Sequence, residues 1–159
     1  MAVRPESLAV IWSSLILALL LQVMPLPEQW LLWRPDWLGM MLAFWCIVAP
    51  QRVGVFHGFI FGLLLDLLEG SPLGQNALLM SLLTWLCLLL YARLRVYSLW
   101  QQAALITIVL GLIQLLDQWL RVAFDVSSLH LEFVYAAVIG GVLWPWFFTL
   151  MQHVRRRFR

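Results

Sequence analysis

Two carboxylates, Asp66 and Asp117, stand within or beside apolar runs. With His57 and the thiols of Cys46 and Cys87, they are the side chains best placed for chemistry away from water. Two acids with separated pKa values could share general acid–base work, and an intramembrane acid near a histidine could relay protons. The arrangement encourages neither reading. Asp66 and Asp117 belong to different apolar segments, and each lies about one turn from a segment end. Nucleophile–base sets, phosphate-cradling loops and HExxH zinc helices are all missing from the sequence. The two cysteines form no CxxC pair or His/Cys cluster and read as small buried hydrophobes. No reaction is legible, and the chain is expected to be a non-enzyme that needs neither cofactor nor metal.

A regular stripe carries more information. Gly54, Gly58, Gly62 and Asp66 recur every fourth residue, which places them on one face of a helix. Glycines at this spacing form a groove that a second helix can enter closely in a membrane, so the four residues are expected to form a helix-packing or partner face. Asp66 must then face protein, because an unpartnered carboxylate in lipid is costly. The stretch Glu69-Gly70-Ser71-Pro72-Leu73-Gly74 follows, a turn in which Gly70 and Gly74 permit unusual backbone angles. The expected role of Asp66 is to accept N–H bonds from this turn and fix the helix end, ahead of a proton-relay or substrate-contact role. Asp117 precedes Arg121 by four residues, the order of a helical ion pair. His57, beside the stripe, is expected to hydrogen bond between helices. Gly140, Gly141 and Pro145 predict close packing and a kink.

The elements that position these residues follow from composition. Of 159 residues, 64% are hydrophobic and 11% charged, with a mean hydropathy of +0.91. Soluble domains carry roughly 25% charged residues, so lipid must cover most of this chain. Six apolar segments are separated by short polar interruptions: Leu8 to Met24, Trp37 to Ala49, Val53 to Leu68, Ala77 to Tyr91, Ala103 to Leu120 and Phe133 to Met151. The first ends in Leu21-Gln22-Val23-Met24-Pro25 with no small-residue cleavage site, which favours a retained anchor over a signal peptide. A full span needs about 17–25 residues, and segments two, three and four fall short. Six spans are expected, with a re-entrant pair at segments two and three as the alternative. The reading is one all-α transmembrane domain over 1–159, ending in a short tail at about 152–159.

Orientation follows from arginine, because all ten basic residues are arginines. With the N-terminus inside, Arg4, Arg52, Arg93, Arg95, Arg155, Arg156, Arg157 and Arg159 share one face, and only Arg34 and Arg121 take the other. The acids Glu28, Asp36, Glu69, Asp125 and Glu132 fall on the outer face. This asymmetry predicts both termini in the cytoplasm. It also makes Arg155, Arg156, Arg157 and Arg159 a basic tail able to meet anionic membrane lipid. A disulfide between Cys46 and Cys87 is not expected on the cytoplasmic side, and nothing suggests nucleic-acid binding. Trp30, Trp33, Trp37 and Trp119 are expected as anchors at the outer interface, and Trp12, Trp100, Trp144 and Trp146 at the inner one.

An ordered set of motifs resembles one family over nearly the whole length. It comprises Leu19-Leu20-Leu21-Gln22-Val23-Met24-Pro25, Arg34-Pro35-Asp36-Trp37, Gly58-Phe59-Ile60-Phe61-Gly62, Leu65-Asp66-Leu67, Gly70-Ser71-Pro72-Leu73-Gly74, Trp100-Gln101-Gln102-Ala103 and Gly141-Val142-Leu143-Trp144-Pro145-Trp146. The chain resembles the MreD family of bacterial rod shape-determining membrane proteins, in its gammaproteobacterial form. The resemblance implies a non-catalytic inner-membrane scaffold of the cell-elongation machinery, serving lateral peptidoglycan synthesis. Its implied partners are MreC, the MreB filament, and RodA with its penicillin-binding transpeptidase. It also implies a fold like the substrate-binding component of energy-coupling-factor transporters. Hence a second functional class stays open, a small-molecule or lipid-precursor binding component of a membrane transporter; fold alone does not decide between them.

Overall fold

Residues 8–31, 33–124 and 133–158 are described in the computed structural model. Arg4, Glu6, Asp125, Glu132 and Arg159 lie outside them. The described chain is helical, in the order α1 (Leu8–Val23), α2 (Glu28–Leu31), α3 (Trp37–Val48), α4 (Val55–Glu69), α5 (Gln75–Val96), α6 (Leu99–Ala123) and α7 (Phe133–Arg157). Each of the six apolar segments contains one helix. The four-residue α2 was not anticipated; it sits in the polar link between the first two segments.

Among the described residues, α5, α6 and α7 are long and apolar enough to cross a membrane. The fourth segment, expected to fall short at Ala77 to Tyr91, corresponds to a helix of 22 residues. Polar residues extend it at both ends. Gln75 and Asn76 are buried at its start, while Arg93 and Arg95 occupy its last turn, where cations suit the C-terminal end of the helix dipole.

α3 and α4 remain short, at 12 and 15 residues, or roughly 18 and 22 Å of helix against a hydrocarbon core of about 30 Å. For α3 the reason is its position. Ten of its 12 residues, Leu38 through Ile47, are buried, and it packs on α1, α5 and α7. A helix wrapped by protein has little lipid-facing surface to match. Phe44 lies edge-on to Trp45 and to Phe148, at 5.3 Å between centroids in each case. Trp45 donates from Nε1 to Ser14 Oγ at 2.8 Å, tying α3 to α1. The closest helix pairings are α4 with α5 and α6 with α7.

The outer surface is apolar, with Leu20, Phe56, Leu67, Leu89, Ile108 and Val142 all exposed. Asp36, Asp66, Gln75, Asn76, Thr84 and Gln102 are buried instead. Such an arrangement suits lipid, where buried polar groups must find partners inside the protein. Trp30, Trp33, Trp100, Trp119 and Trp146 are exposed. Trp144 differs from the expected anchor. It is fully buried beside Phe147 and Phe148, and its Nε1 donates to Gln102 Oε1 at 3.5 Å. Helix α7 runs through Pro145 without a break.

Candidate functional site: the α4–α5 hairpin and a polar cavity

The turn between α4 and α5 depends on two left-handed glycines, Gly70 at φ 70° and Gly74 at φ 97°. Gly70 closes α4, its N–H donating to the Asp66 carbonyl at 3.0 Å. Gly74 occupies the N-cap position of α5, where a serine or aspartate would ordinarily bond the free N–H groups. Its backbone angle favours glycine, so the cap must come from elsewhere. Asp66 supplies it. One carboxylate oxygen accepts from Ser71 Oγ at 2.7 Å and Asn76 N at 2.9 Å. The other accepts from Gly74 N at 2.9 Å and Ala77 N at 3.3 Å. Asp66 is 1% exposed, and its charge sits at the positive end of the α5 dipole.

The glycine stripe lies against this same hairpin. A Cβ on Gly58 would meet Thr84 Oγ1 and, at 2.6 Å, the Met80 carbonyl oxygen. A Cβ on Gly62 would meet the Asn76 carbonyl oxygen and, at 2.6 Å, Ala77 Cα. Both glycines therefore let the backbone of α5 approach α4 within one chain. Gly54 does not share that contact, for a Cβ there would have nothing within 4 Å. Its N–H donates to His57 Nδ1 at 3.3 Å, so His57 bonds the start of its own helix, and its ring lies 5.4 Å from that of Trp12 on α1. A second close approach joins α6 and α7, where a Cβ on Gly141 would meet Thr107 Oγ1 and, at 2.8 Å, Thr107 Cβ.

Beside Asp66 lies a polar cavity that the sequence reading missed. Its volume is about 230 Å³, and Gln22, Arg34, Asp36, Glu69, Gln114, Asp117 and Arg121 are among the residues lining it. Asp36 is the N-cap of α3, accepting from Gly39 N at 3.0 Å. A Cβ on Gly39 would press on that carboxylate, 2.9 Å from its Cγ. Burial pushes the Asp36 carboxyl up from its ordinary range, against the Gly39 hydrogen bond and the nearby Arg34 charge. Gln22 accepts from Trp37 N at 3.0 Å. Arg34 lies 3.9 Å from Glu69. Arg121 pairs with Asp117 at 3.0 Å, four residues apart, and Asp117 also accepts from Gln75 Nε2 at 2.6 Å.

One signal for this cluster was read in the sequence, the Asp117–Arg121 spacing; an aspartate just before an apolar run, as at Asp36, is the N-cap signal that could have found a second. The Arg34–Glu69 and Gln75–Asp117 contacts left none, because they join distant segments. Cys46 and Cys87 are buried free thiols. Arg155, Arg156 and Arg157 occupy the last turn of α7, with Arg156 and Arg157 exposed.

The family model for the rod shape-determining protein MreD matches residues 6–154. The rod shape-determining protein MreD of Haemophilus influenzae is 33% identical over 147 residues, covering 92% of this chain and 91% of that protein. The chain belongs to the MreD family. No solved structure matches it. Family membership assigns a part in determining rod shape, and the helices long and apolar enough for a bilayer accord with a membrane protein. The MreD motifs quoted from the sequence fall at structural joints. Arg34-Pro35-Asp36-Trp37 caps α3, Gly58 and Gly62 meet α5, and Gly70 to Gly74 turns the hairpin.

Proposed function

We propose that the chain is a non-catalytic scaffold of the bacterial cell-elongation machinery, assembling with MreC, the MreB filament, and RodA with its penicillin-binding transpeptidase. It resides in the inner membrane with both termini cytoplasmic, and α1, α3, α4, α5, α6 and α7 make six spans, with α2 at the outer surface. Six spans also accord with the fold implied by the likeness of the family to the substrate-binding component of energy-coupling-factor transporters. The observation that carries the reading is family membership over nearly the full chain. Support comes from the architecture, since the described residues are nearly all helix and such a chain meets partners through helix faces, links and its tail. In this scheme the α4–α5 hairpin is the rigid unit. Gly58, Gly62 and Asp66 fix it internally, and its opposite faces, with Phe59 and Leu67 exposed, are free to meet partners.

The test is co-purification from rod-shaped cells. The tagged full chain is expected to carry MreC with it from solubilised membranes, and its depletion is expected to round the cells. Rod-shaped growth without the chain, or its isolation free of MreC under conditions that hold the synthase together, contradicts the scaffold.

A further inference from the structure

An open groove of about 540 Å³ lies between α1 and α7. Both helices pack on α3, which contributes Met41 to the lining. The walls are Val10 and Leu17 of α1 and Leu150 and Val154 of α7, with Phe158 just beyond that helix. Leu17, Leu150 and Phe158 are exposed, so an occupant reaches them from outside the bundle. The polar atoms along the groove are already bonded within the protein. Ser13 Oγ donates to the Val10 carbonyl at 3.1 Å, Ser14 Oγ to the Ile11 carbonyl at 2.8 Å, and Trp45 Nε1 to Ser14 Oγ at 2.8 Å. Such a wall favours hydrocarbon, because a polar occupant would lose its own hydrogen bonds there. One charge breaks the pattern. Arg155 also lines the groove, in the last turn of α7 with Arg156 and Arg157.

We propose that this groove holds one acyl chain of an anionic phospholipid, whose phosphate is taken by Arg155. A guanidinium offers five N–H donors in a planar fork that fits phosphate, so it can take a headgroup and keep bonds to its own protein. An arginine-rich turn beside an apolar groove complements an anionic amphiphile. An apolar helix of a partner, or a second copy of this chain, would leave that charge unanswered. Length agrees as well. Val10 to Leu17 covers roughly 10 Å of α1, within one leaflet of a hydrocarbon core about 30 Å thick. The site is a single place for one lipid, beyond any diffuse attraction of the tail to the leaflet. It rests on the membrane-spanning arrangement proposed above and not on assembly with MreC.

The full chain is reconstituted in nanodiscs of phosphatidylglycerol and phosphatidylcholine with matched acyl chains, and bound lipid is counted by native mass spectrometry. One phosphatidylglycerol per chain should persist in preference to phosphatidylcholine. Arg155→Gln should lower that preference about tenfold, and Arg155→Lys should keep it. Arg157→Gln, in the same turn but outside the groove, should lower it less. Leu17→Trp, which fills the groove from its exposed wall, should reduce retention with every arginine in place. Equal losses from Arg155→Gln and Arg157→Gln overturn the proposal, since they leave only attraction to the tail. Equal retention of the two lipids overturns it too, as does retention untouched by Leu17→Trp, or a dimer of the chain that excludes the lipid. Insertion is read separately by resistance to alkaline extraction. A chain that inserts and holds no lipid defeats the site alone, whereas a chain that fails to insert defeats the spanning arrangement with it.

Discussion

At the scale of single residues, Asp66 shows how an acid inside an apolar helix can be structural. Both of its oxygens are used, each by two donors. Asp66→Asn keeps one oxygen but turns an NH₂ towards either the Ser71 and Asn76 donors or the Gly74 and Ala77 donors. Buried donors left unmatched cost about 1–3 kcal/mol, so Asp66→Asn should lower the thermal midpoint in detergent, and Asp66→Ala should lower it further. An unchanged midpoint for both variants would show that the carboxylate does not hold the hairpin. Much of this role was legible, since an aspartate before a Gly-Ser-Pro-Leu-Gly turn has local donors within reach. Its service as the cap of α5 was not, because it depends on the left-handed Gly74, which leaves the N-cap position without a side chain. Gln75 and Asp117 were legible only as isolated polar residues. Their bond spans 42 positions and leaves no periodic trace.

Among the elements, the stripe divides by position. A period of four placed Gly54, Gly58 and Gly62 together, but the spacing cannot say where the neighbouring helix ends. Gly58 and Gly62 meet the α5 backbone and Gly54 meets nothing within 4 Å. Gly58→Ala and Gly62→Ala are each expected to destabilise by about 1–3 kcal/mol through overpacking, with Gly54→Ala near neutral. Chemical unfolding of the three purified variants checks the order, and equal effects at all three positions would refute it. The six longer helices and their order were readable from the apolar runs, whereas the four-residue α2 in the polar link was not. The true ends of α5, α6 and α7 were not, because a helix can carry polar residues past the apolar boundary where caps and terminal cations stabilise them. The short α3 was readable as deficient, while its central position depends on packing that hydropathy does not encode.

For the whole molecule, orientation and partners come into play. With Cys46 and Cys87 buried, background labelling by a polar thiol reagent should be low. Arg157→Cys and Arg93→Cys should label only from the cytoplasmic side, and Glu28→Cys only from the periplasm. Periplasmic labelling at position 157 would reverse the topology. The tail makes a separate contribution, since each arginine near an anionic leaflet is worth about 1 kcal/mol. Replacing Arg155, Arg156, Arg157 and Arg159 by glutamine should reduce anionic lipid retained in native mass spectra and leave binding to the MreC periplasmic domain intact. Loss of that binding alone would place the MreC surface on the wrong side. The most direct measurement compares Gly54→Leu with Gly62→Leu in cells depleted of the native chain, scoring cell shape and MreC co-purification with membrane insertion verified. Gly54→Leu should keep cells rod-shaped and bound to MreC, while Gly62→Leu should insert, round the cells and lose MreC. Rod-shaped cells with MreC retained under Gly62→Leu would contradict a scaffold built on the α4–α5 hairpin.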